Sequence, residues 1–149
     1  IGDVRATLDV NVSGNFRCAP IKLKVEEDNA SRFLKGMEGI VEFQVAHGEG
    51  NFQSSETDLQ NIEDKGLVVF RYCNPVTGEP TQEFPYNPNG AMNAIAGITD
   101  PSGRILGLMP HPERSVRKTQ YVNWRRMGDF IPEGLQIFQR MVQYAKEGV

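Results

Sequence analysis

The 149-residue chain has two cysteines, two histidines and one tryptophan. Each scarcity excludes something. Cys18 and Cys73 lie far apart with no C-x-x-C spacing, so neither a disulfide framework nor a zinc knuckle is available. With His47 and His111 as the only imidazoles, any histidine-dependent chemistry runs through one or both of them. Basic charge is not in excess: a net charge of −3 gives no general attraction to nucleic acid or to an anionic membrane. No apolar run approaches the roughly 20 residues a membrane helix needs, and no signal-peptide pattern opens the chain. A cytoplasmic, reducing location is the simplest expectation. The chain also opens Ile1-Gly2-Asp3-Val4 without an initiator methionine, which suggests a piece of something longer.

What remains is a chain long enough for one domain with a real core, 39% hydrophobic and 23% charged. Its most informative stretch is Ile105-Leu106-Gly107-Leu108-Met109-Pro110-His111-Pro112-Glu113-Arg114. An apolar run of strand character ends abruptly in Pro-His-Pro-Glu. The prolines fix φ near −65° and bias the residue before each towards extended geometry, so His111 and Glu113 sit on stiff backbone at a strand end. That is a common place for chemistry in open α/β sheets. A neutral imidazole can take a proton from a nucleophile, and a carboxylate on its other nitrogen fixes the tautomer. An isolated H-x-E on a surface turn more often does nothing, so the pattern needs support from elsewhere.

The remaining chain reads as short strands with two helices. Residues 1–15 form a turn-rich opening. Phe16 to Glu27 alternates as a strand with a slip at Ala19-Pro20, the mark of a bulge or an edge. Asp28 to Gly36 suggests a turn with one helical turn, Ser31 as its N-cap. Gly39 to Ala46 is a strand ending in His47-Gly48-Glu49-Gly50. Ser55 to Lys65 is an amphipathic helix with a capping pair at Ser55 and Asp58, stopped by Gly66. Leu67 to Cys73 is a strand. Ala94–Thr99 and Arg104–Met109 form a hairpin across Asp100-Pro101-Ser102-Gly103. From Glu133 onward, Leu135, Phe138, Met141, Val142 and Ala145 fall at helical spacing, with Pro132 suited to the helix's first turn.

Several motifs then fall into one order. Leu8 to Phe16 resembles L-x-x-N-x-S-G-R-F, differing at Asn15. It is followed by Val45-Ala46-His47-Gly48-Glu49-Gly50-Asn51-Phe52, Tyr86-Asn87-Pro88-Asn89-Gly90, Ala94-Ile95-Ala96-Gly97-Ile98, and Gly107 to Arg114. In this order and spacing the chain resembles the glutaminase subunits of phosphoribosylformylglycinamidine synthase, class I (triad-type) glutamine amidotransferases of purine biosynthesis. The resemblance implies an α/β fold: the C-terminal part of a flavodoxin-like open sheet with a strand hairpin and a C-terminal helix, all of residues 1–149 belonging to one domain. It implies a Cys-His-Glu triad in which His111 and Glu113 are the histidine and carboxylate. It also implies that Asn11, Ser13 and Phe16 approach the bound glutamine, and that His47 and Glu49 lie near the triad or face a partner. Expected partners are the large synthase subunit, a small accessory subunit and glutamine, with no nucleic acid and no membrane. No cofactor is expected in this chain; ATP and magnesium belong to the synthase.

The chain departs from this pattern in three places. Asn15 and Asn51 stand where the family usually has arginine. More important, the family's Gly-x-Cys-x-Gly nucleophile elbow is missing. Cys18 in Arg17-Cys18-Ala19-Pro20 and Cys73 in Tyr72-Cys73-Asn74-Pro75 lack the flanking glycines and read as inert, partly buried strand cysteines. The nucleophile is therefore expected outside this sequence, and the chain alone is expected to be inactive.

Rival readings stay open from the residues alone. His47, Glu49, His111 and Glu113 together form a sufficient donor set for a metal-dependent hydrolase. A non-catalytic synthase-binding module, or the tail of a long fused synthase, also fits. The basic stretch Arg114, Arg117, Lys118, Arg125 and Arg126 around Tyr121 and Trp124 reads either as a docking face or as a solvated one.

Overall fold

Alternation drives the centre of the fold. Ile21, Leu23 and Val25 on one strand and Val41, Phe43 and Val45 on the next all turn inward and are buried. The computed structural model, which describes residues 5–147, places them on β2 (Arg17–Val25) and β3 (Ile40–His47). The opening Ile1-Gly2-Asp3-Val4 lies outside the described residues. The β2–β3 ladder is antiparallel and unbroken from Arg17 opposite His47 to Lys24 opposite Ile40. The expected slip at Ala19-Pro20 is therefore not a bulge. Pro20 is tolerated because β2 pairs on its other side only over Leu23–Val25, leaving an open edge beside the proline.

β2 leads to β5 (Val68–Tyr72), β6 (Ile95–Thr99) and β7 (Leu106–Leu108), giving the order β3-β2-β5-β6-β7 with antiparallel neighbours throughout. The β6–β7 hairpin forms as expected, its loop tied to Asp100, whose Oδ1 accepts from the Arg104 and Ile105 backbone N–H groups. Hydrogen bonds from Ser102 and these neighbours hold that carboxyl down to about 2. Beside the sheet stands a two-stranded ribbon, β1 (Ala6–Val10) with β4 (Glu49–Ser54). Neither ribbon strand is among the expected elements. All five residues of β1 are exposed, so it carries no buried alternation to read.

α1 (Glu56–Asp64) starts as expected: the Ser55 hydroxyl accepts from the Asp58 N–H at 3.1 Å and donates to the Asp58 carboxylate at 2.8 Å. α2 (Glu133–Glu147) closes the described chain and buries Ile137. The expected helical turn in 28–36 is absent. Ser31 instead accepts from the Phe33 N–H in a local turn. Cys73 is buried, whereas Cys18 is exposed rather than partly buried. No helix among the described residues is long and apolar enough to cross a membrane.

The sheet is open but strongly curled. After β7, the Met109 N–H still bonds to Ala96 O on β6 at 3.0 Å, while the His111 N–H bonds to Gln44 O on β3 at 2.8 Å. Pro110 is the pivot between the two edge strands, and His111 forms the bridge that joins them.

Candidate active site

His111 is positioned by that bridge, and the chain then tightens into a single 3-10 turn, Pro112–Ser115. Proline at its first position supplies the required φ. The turn brings Glu113 Oε1 to 2.7 Å from His111 Nδ1. Both side chains remain accessible, 30% exposed for His111 and 55% for Glu113. The carboxylate accepts only, so Nδ1 carries the proton of the neutral ring and Nε2 is left as a free base.

The underside of the turn rests on α2. A Cβ at Gly134 would stand 2.8 Å from Ser115 O and closer still to Pro112 O, so the helix backbone itself is in contact with the turn. Tyr121, buried, ties the same parts together: its hydroxyl contacts the Glu133 carboxylate, accepts from the Glu133 N–H at 3.0 Å and lies 3.3 Å from Ser115 O. Burial, then the bond to Glu133, pushes this phenol well above its usual range, so it stays protonated. Gln120 Oε1 accepts from the Val116 and Arg117 N–H groups and fixes the chain leaving the turn. Gly134, Gln120 and Gln44 were not singled out from sequence. Only Gly134 left a signal, as a glycine inside the first turn of a helix, which costs about 1 kcal/mol unless close contact requires it.

The second H-x-E behaves differently. His47 ends β3 and is only 4% exposed. Its Nδ1 lies 2.9 Å from Asn11 Oδ1, which also accepts from the Gly50 N–H at 3.2 Å. Asn11 Nδ2 donates to His47 O at 2.9 Å and to Asn15 O at 2.8 Å. The ring lies against Gly50, where a Cβ would come within 2.5 Å of Nδ1. Burial first, and the nearby His111 second, lower the His47 pKa and keep it neutral. Glu49 leaves in the other direction, exposed on β4 opposite Val10.

Of the other expected site residues, Asn11 is 2% exposed and fully engaged by these bonds. The Ser13 hydroxyl accepts from the Asn15 N–H, and Phe16 stands 66% exposed. His47, Glu49, His111 and Glu113 do not assemble as a ligand set: among the described residues no three His, Cys, Asp or Glu side chains are grouped to hold a metal. In the basic stretch Tyr121 is interior, while Arg125 stacks on Trp124 at 5.3 Å and Lys118 pairs with Asp129.

The family model described as a CobB/CobQ-like glutamine amidotransferase domain matches residues 3–145. Phosphoribosylformylglycinamidine synthase subunit PurQ of Methanococcus maripaludis strain C7 is 36% identical over 154 residues, covering 96% of this chain and 56% of the relative. Phosphoribosylformylglycinamidine synthase of Saccharomyces cerevisiae is 40% identical over 137 residues, covering 81% of this chain and 10% of the relative. Among solved structures, PurLQS from Thermotoga maritima superposes with a TM-score of 0.66 at 27% identity, over 97% of this chain and 55% of that one. The chain thus spans about half the length of the PurQ relatives it matches.

Proposed function

This chain belongs to the CobB/CobQ-like glutamine amidotransferase domain family, and from that premise we propose that residues 1–149 are the His–Glu-bearing, C-terminal part of a single glutaminase domain. Its role is to release ammonia from glutamine for phosphoribosylformylglycinamidine synthase in purine biosynthesis. The observation that carries the reading is the 2.7 Å contact of His111 Nδ1 with Glu113 Oε1.

The chemistry follows from that contact. With Nδ1–H committed to Glu113, His111 Nε2 takes the proton of a cysteine thiol, and Glu113 stabilises the imidazolium. The thiolate adds to the carboxamide carbon of glutamine, and the imidazolium returns the proton to the departing nitrogen as the C–N bond breaks. Ammonia leaves and a glutamyl thioester remains. Water, deprotonated by the same nitrogen, then cleaves the thioester to glutamate and restores the thiol. The balance is glutamine plus water to glutamate plus ammonia.

The thiol comes from outside these residues. Burial raises the Cys73 thiol, the wrong direction for a nucleophile. Cys18 is one residue from Arg17, which opposes His47, so its side chain leaves the other face of the sheet. The proposed partners are the large synthase subunit, where ATP and magnesium would bind, and a small accessory subunit. The metallohydrolase alternative lacks a ligand cluster among the described residues, and a purely structural module gives no reason for the His111–Glu113 contact.

In the complete glutaminase, His111→Asn is expected to lower glutamine hydrolysis by about 10²–10⁴-fold. The 149-residue chain alone is expected to release no ammonia above background. Turnover by the isolated chain that survives replacement of both Cys18 and Cys73 by serine would overturn this reading.

A further inference from the structure

Two side-chain nitrogens among the described residues are buried without a hydrogen-bond partner: Arg17 Nε and His47 Nε2. They belong to residues directly opposite one another on β2 and β3. Opposed side chains in an antiparallel pair leave the same face, with Cβ atoms roughly 5 Å apart. The two atoms are also chemically complementary. Arginine Nε always carries a proton and can only donate. The state of His47 is set by Asn11, whose Nδ2 faces two carbonyl oxygens and whose Oδ1 faces the Gly50 N–H. With Oδ1 as the acceptor, the ring proton must be on Nδ1, and Nε2 can only accept. Leaving a buried polar group unpaired is costly, and here a donor and an acceptor on opposed residues both lack a partner.

We infer that Arg17 and His47 form a two-point site for an uncharged amide group, with Arg17 Nε–H donating to its oxygen and its N–H donating to His47 Nε2. A carboxylate has no proton for Nε2, and an ammonium has no lone pair for Nε. A primary amide supplies both from one edge of a rigid plane. Over Arg17 the cover is light: its guanidinium lies 4.8 Å from the ring centre of Phe84, which is itself 63% exposed. Moving that aromatic outward uncovers none of the core. The ligand's identity, and only that, rests on the glutaminase reading: the side-chain carboxamide of glutamine. A trans peptide group points its N–H and C=O opposite ways and cannot meet both points, so a primary carboxamide fits and a polypeptide backbone does not.

The chain, labelled with ¹⁵N in arginine and histidine, is titrated by NMR with L-glutamine, L-glutamate and N-methylacetamide. Glutamine is expected to shift both Arg17 Nε and His47 Nε2, and glutamate to shift neither. Arg17→Lys, which removes Nε, and His47→Asn, which keeps a donor for Asn11 but has no Nε2, should each weaken the glutamine response about tenfold or more. N-methylacetamide, whose N–H and C=O point apart, is expected to shift neither nitrogen, and a response to it as large as that to glutamine overturns the two-point site. No response to glutamine, or a proton found on His47 Nε2, overturns the inference. The wild-type titration decides this even if a variant fails to fold. In the complete glutaminase, Arg17→Lys should lower kcat/KM for glutamine about tenfold or more, because the oxygen it holds is the one that gains charge when the thiolate adds. His111→Asn should leave the titration intact. If that variant instead keeps full turnover, the glutaminase reading fails while the amide site stands.

Discussion

His111-Pro112-Glu113 and His47-Gly48-Glu49 share a pattern and almost nothing else. In the first, proline holds the chain in a tight turn and delivers the carboxylate to the imidazole at 2.7 Å, with both groups reachable from solvent. In the second, glycine lets the chain turn from the curled sheet into the ribbon. The carboxylate goes outward, and the imidazole is sealed against Gly50 with an asparagine as its partner. Burial keeps one imidazole neutral, while the other holds a carboxylate on its Nδ1. The residue between His and Glu decides which, because it sets whether the two side chains face each other.

The largest break in this comparison is Gly50→Ala. Its Cβ would stand 2.5 Å from the His47 ring, so unfolding in denaturant should show a loss of about 1–3 kcal/mol. Glu113→Gln tests the other half: turnover in the complete glutaminase should fall about 10–100-fold, since the amide cannot stabilise the imidazolium. Stability should stay within about 0.5 kcal/mol, because the pair is exposed.

A pH titration of stability sharpens the contrast. The folded His47 pKa lies below its unfolded value near 6.5, so the unfolded chain binds the proton first. Stability is therefore full above about pH 6.5 and declines as pH falls towards the folded pKa. His47→Asn should flatten that part of the curve, followed by circular dichroism. Smallest of all, Pro112→Gly should cost about 0.4–1 kcal/mol through unfolded-state entropy, measured by the same melts.

Much of this was legible locally. Both helices, the Ser55 cap and the β6–β7 hairpin depend on neighbours in sequence, and the His–Glu contact needs only two residues and a proline. The resemblance added family and order of motifs. What stayed hidden depends on distant partners. β1 has no buried side to betray it, and β4 starts directly at the Gly48 corner, where its glycines read as a turn. The grip of Asn11 on His47 spans 36 positions, and nothing near Gly134 names Pro112 and Ser115 as what it must clear.

Because the His111 amide is the stitch between the two outermost strands, the proposed base doubles as the clasp of the whole curl. Unfastening that clasp displaces the imidazole before any core side chain is wetted. Heat should therefore abolish turnover at a lower temperature than it melts the secondary structure. Deuterium uptake at this single amide should track the earlier event.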